Sequence, residues 1–119
     1  MVASQKIDFT TLLFGNFSTS EVNTGFKWIN GASIYKKTVS IGALPNNTFK
    51  SVAHGISGLT FIIHTFGNAY SGTTHRPLPF AGSSTNYVSV SINATNIDVT
   101  TAGDLTSYTT TYITLLYTR

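Results

Sequence analysis

The apolar residues of this chain fall in short runs of Val, Ile, Leu, Tyr and Phe, broken by Gly, Asn and Pro, and nowhere keep a helical spacing over three turns. A chain patterned in that way folds as strands and turns. Val88, Val90 and Ile92 alternate with Ser89, Ser91 and Asn93, and Ile113, Leu115 and Tyr117 share one face of a closing run that starts at Tyr112. Further strands are expected over Phe26–Ile29, Ile34–Ile41, Thr48–Val52, Leu59–Phe66 and Ile97–Val99. Asn30-Gly31 supplies the left-handed conformations of a tight hairpin turn, across which Trp28 is expected to pack on the strand that follows. Along Leu59–Phe66, alternation puts Leu59, Phe61 and Ile63 on one face and Ile62, His64 and Phe66 on the other. From Gly67 to Ser84 the Gly, Pro and small polar residues read as the longest irregular stretch. About eight strands at regular spacing predict an all-β fold, an antiparallel β-sandwich of jelly-roll-like form.

At 119 residues the chain is of single-domain size. Its first part, Lys6–Phe14, ends in an apolar cluster, and Phe9, Leu12, Leu13, Phe14 and Phe17 place more apolar bulk there than one edge strand of a monomer buries. Residues 1–18 are therefore expected to form a subunit interface or a stalk junction, and residues 19–119 the sandwich. Charged residues make up 9%, against roughly 25% in an average globular protein. The surface must be polar by hydroxyl and amide instead, and 20 Thr, 13 Ser and 9 Asn provide them. The net charge of +3 is scattered, with only Lys36 and Lys37 adjacent, so no nucleic-acid footprint is expected. The absence of cysteine removes disulfides and thiolate chemistry, and no apolar run approaches the ~20 residues of a membrane span, so no membrane insertion is expected either.

The segment Thr24-Gly25-Phe26-Lys27-Trp28-Ile29-Asn30-Gly31-Ala32-Ser33-Ile34-Tyr35-Lys36-Lys37-Thr38-Val39, followed by Leu44-Pro45-Asn46, Val52-Ala53-His54-Gly55-Ile56 and a final Tyr117-Thr118-Arg119, resembles the C-terminal receptor-binding tip domain of phage tail-fibre and related virion proteins. Asn30 stands where Asp is more frequent in that pattern, and Ala32 where Lys is. The resemblance spans about Thr19 to Arg119. It implies a homotrimeric domain on the exterior of a virion, joined to the rest of the fibre and contacting a host surface glycan or outer-surface protein. It carries over no binding residue, because the matched positions read as scaffold.

Three residue sets could carry chemistry: histidines, carboxylates and aromatic residues. His54, His64 and His75 have no spacing that puts two rings on one face, so no metal and no cofactor are expected within one chain. Of the four carboxylates Asp8, Glu21, Asp98 and Asp104, Asp98 reads as a surface strand position and Asp104 as a turn residue rather than as members of a catalytic pair, and no Gly-X-Ser-X-Gly elbow occurs. No catalytic residue is assigned and the protein is expected not to be an enzyme. Aromatic residues carry the stronger signal, since a sugar stacks its C–H face on a ring while amides and hydroxyls take its hydroxyls. Tyr70, His75, Arg76 and Tyr87, with Asn68 and Asn86, are the expected ligand-binding set. The competing expectation is that Tyr70 and Phe80 anchor their loop to the core or to a neighbouring subunit.

Overall fold

The computed structural model describes residues 15–119, which form nine antiparallel strands and no helix. In chain order these are β1 Val22–Lys27, β2 Ser33–Ser40, β3 Phe49–Ala53, β4 Phe61–Tyr70, β5 His75–Leu78, β6 Phe80–Ser83, β7 Asn86–Ile92, β8 Asn96–Ala102 and β9 Thr110–Thr118. One sheet has the order β1-β2-β9-β4-β5 and the other β3-β8-β7-β6. The all-β sandwich is as expected, with one strand more. Nested pairing of early with late strands, the jelly-roll feature, holds for β2 with β9, β4 with β9 and β3 with β8; the remaining pairs β1–β2, β4–β5, β6–β7 and β7–β8 are local hairpins. The expected strand over Lys6–Phe14, with Phe9, Leu12, Leu13 and Phe14, lies outside the described residues.

The core lies between the sheets. Val39 and Ile41 from β2 and its end, Ala69 from β4, and Ile113, Leu115 and Tyr117 from β9 meet Val88 from β7 and Ile97 and Val99 from β8. Burying a side chain such as Ile97 or Leu115, both 0% exposed, contributes about 1.5–3 kcal/mol each. From Ile113 onward β9 is enclosed on both faces, because Thr114, Leu116 and Thr118, which point away from this core, are buried as well, whereas Thr110 and Tyr112 on that face stay exposed. Its position between β2 and β4 accounts for part of that.

Three local expectations are corrected. The first hairpin strand runs over Val22–Lys27 rather than Phe26–Ile29. Its turn is a three-residue loop in which Trp28 N–H donates to Ala32 O at 2.8 Å and Gly31 N–H to Trp28 O at 2.9 Å, with only Gly31 in the left-handed region at φ 84°. Trp28 consequently lies just beyond β1, where it closes the loop, and stacks on Phe61 at 5.7 Å. In β4 the pairing slips between Ile62 and His64, so Phe61, His64 and Phe66 share the face turned away from the core while Ile62 packs toward it. The segment expected to be irregular, Gly67–Ser84, is largely strand: β4 continues to Tyr70, and β5 and β6 follow.

Candidate functional site

The outward face of the five-stranded sheet carries several aromatic and amide groups that the fold leaves accessible. Register places Thr110, Tyr70 and His75 in one cross-strand row, and Tyr112, Asn68 and Pro77 in the next. The Tyr70 and His75 rings stack with centroids 4.4 Å apart and planes 18° apart. Asn68 Nδ2 lies 2.9 Å from His75 Nδ1, and Tyr70 OH donates to Gly72 O at 2.8 Å, which ties the ring to the β4–β5 turn. Tyr70 and Tyr112 remain 36% and 46% exposed. Two phenol rings, an imidazole, an amide and Thr110 on one rigid surface form an apolar platform with polar groups at its margin, the arrangement a pyranose ring recognises.

Farther along the same face a second aromatic group follows. Phe17 meets Phe66 edge-on at 6.3 Å, His64 lies 5.4 Å from Phe66, and Trp28 stacks on Phe61. Lys36 is buried beneath it, with Nζ donating to Gly15 O and lying 4.1 Å from the Phe17 ring centre. Loss of hydration lowers the Lys36 pKa from its ordinary value. Phe17 and Phe61 keep 48% and 52% of their surface exposed.

The six expected ligand-binding residues are divided among three places. Asn68, Tyr70 and His75 gather on the outward face. Arg76, next along β5, points to the opposite side, where it spans from one sheet to the other: Nη1 donates to Asn86 Oδ1 at 3.1 Å, with the guanidinium 4.1 Å from the Phe80 ring centre and 5.0 Å from that of Tyr108. Tyr87 belongs to neither group and lines a shallow groove of about 330 Å³ with Pro79, Phe80 and Ser89. The anchoring role foreseen for Phe80 is therefore met through Arg76 and the core. Tyr112 was missed, although its parity, opposite to Ile113 and Leu115, was enough to turn it outward.

The histidines and carboxylates are engaged separately. His54 is buried, its Nδ1 accepting from Ile56 N–H at 3.0 Å and its Nε2 lying 2.9 Å from Asn93 O, so the ring bridges two loops. Glu21 accepts from Tyr117 OH at 2.6 Å and from Arg119 Nε at 3.0 Å. Asp98 accepts from Ser51 at 2.6 Å. The hydroxyl and then the N–H of Thr106 hold the Asp104 carboxyl below its ordinary pKa. Among the described residues no three His, Cys, Asp or Glu side chains converge as metal ligands would. Comparison with family models, curated proteins and solved structures finds no match to this chain.

Proposed function

We propose that this chain is a non-enzymatic attachment domain on the exterior of a phage virion, at the tip of a homotrimeric fibre, and that it binds a host-surface saccharide. The observation that carries the reading is the outward platform of Tyr70, His75, Asn68 and Tyr112, where stacked and exposed rings lie beside neutral donors and acceptors. Its setting is a surface rich in hydroxyl and amide groups and poor in charge. The similarity of Thr24–Val39 to fibre-tip domains supplies the biological context. Binding to host cells or to a glycan array tests it. Tyr70→Ala and Tyr112→Ala each remove a stacking ring and are expected to weaken binding about tenfold, the equivalent of ~1.4 kcal/mol. Absence of binding to any susceptible host surface, or unchanged binding by both variants, refutes the reading.

A second reading, a structural domain that trimerises and caps a fibre or decorates a particle, is favoured by the Phe17, Phe61 and Trp28 group on the same face. It predicts that Phe61→Ser lowers the oligomeric state while no glycan is bound.

A further inference from the structure

The Arg76 guanidinium is held in place by groups that do not neutralise it. Two rings cover it, Phe80 and Tyr108, and its single hydrogen-bond partner among the described residues is the neutral amide oxygen of Asn86. Nε and Nη2, the edge that grips an oxyanion with two parallel hydrogen bonds, have no acceptor among those residues. The described carboxylates are committed elsewhere: Glu21 to Tyr117 and Arg119, Asp98 to Ser51, Asp104 to Thr106. An arginine stacked in this way has already lost much of its freedom, so little more is lost when a planar anion arrives.

We propose that Arg76 is the receptor for the oxyanion of an acidic saccharide, a uronic or sialic acid carboxylate or a sulfate ester. The inference rests on the attachment reading for the saccharide, and on Arg76 alone for the anion. Placement in the fold joins the two. β5 is the edge strand of its sheet, so no neighbouring strand separates His75 on its outward side from Arg76 on its inward side. A saccharide that wraps around this edge would meet the Tyr70–His75 stack on the outward side with one part and the guanidinium on the inward side with another. Because the surrounding surface is hydroxyl and amide, Arg76 is the group that distinguishes an acidic sugar from a neutral one.

The test is titration of the whole chain with glucuronic acid, glucose 6-sulfate and glucose, followed by calorimetry or by amide NMR shifts. One or both acidic sugars are expected to bind at least tenfold tighter than glucose, with a preference that shrinks as salt is raised. Arg76→Gln is expected to abolish the preference, and Arg76→Lys, which keeps a cation over the rings but loses the planar fork, to reduce it severalfold. Melting curves establish that each variant is folded, and Arg76→Lys serves alone if Arg76→Gln is not. Equal binding of glucose and both acids, no binding of either acid, or an acid preference untouched by Arg76→Lys overturns the inference. Host binding that depends on Tyr70 and Tyr112 without acid preference overturns it while leaving the attachment reading standing. Acid binding through Arg76 by a domain that attaches to no host overturns the attachment reading alone.

Discussion

Thr111 buries a hydroxyl that has no hydrogen-bond partner among the described residues. It sits on β9 opposite Ala69, with the inward parity of Ile113 and Leu115, where an unpaired polar atom costs about 1–3 kcal/mol. Thr111→Val keeps the shape and removes the hydroxyl. It is expected to raise stability by ~1 kcal/mol and the melting temperature by several degrees, as read by thermal unfolding. His54 is the opposite case, a buried polar ring with both nitrogens partnered. His54→Ala strands the Ile56 N–H and the Asn93 carbonyl and leaves a cavity, and a loss of ~3 kcal/mol in urea unfolding is expected. The structural role of His54 could be foreseen, since it lies beside Gly55 and Ile56 and its bond to Ile56 is local. The partner of Trp28 could not be, because Phe61 lies 33 positions away and reaches it only once β4 joins the sheet.

At the scale of elements, β1 and the end of β9 are locked by one cluster. Tyr117 donates to Glu21, Arg119 pairs with Glu21 at 2.9 Å and lies over Tyr35, and Tyr35 stacks on Tyr117. Burial first, then the Glu21 hydrogen bond, push the Tyr117 pKa well above its ordinary value. The folded chain thus holds this proton more tightly than the unfolded chain, so the stabilisation is complete below pH ~10 and is lost as pH rises past it. Tyr117→Phe is expected to be less stable than wild type by ~1–2 kcal/mol at pH 7, and the gap is expected to narrow above pH 10, as followed by melting temperature across that range. The Arg119–Glu21 pair contributes less, since Arg119 is 40% exposed and its charge is screened. Element boundaries were legible where apolar and polar residues alternate, as in β7, and illegible in β4. There the slip between Ile62 and His64 reverses parity midway, and a bulge of that kind is set by the partner strand. Gly67–Ser84 misled for a similar reason: β5 and β6 owe their extended form to pairing with β4 and β7, which their own Gly- and Pro-containing sequences do not announce.

At the scale of the whole molecule, the outward face of the five-stranded sheet holds both the Tyr70 platform and the Phe17–Phe61–Trp28 group, so the two readings proposed above place binding and assembly on one surface. Under the attachment reading, light scattering is expected to return a mass near three times the 12.8 kDa chain. A monomer at every concentration would remove the fibre-tip trimer while leaving the platform open to a ligand. The sequence by itself determined the all-β class, the hydroxyl-rich surface and the inward set of β7 and β9, because period-two alternation and composition are local properties. Only the tertiary structure decided which site residues meet. His75 and Arg76 are neighbours in sequence yet face opposite sides of an edge strand, and Tyr112, far along the chain, arrives beside Asn68 through the register of β9 on β4. The reason is physical: alternation assigns a residue to a face, whereas long-range pairing assigns its neighbours on that face.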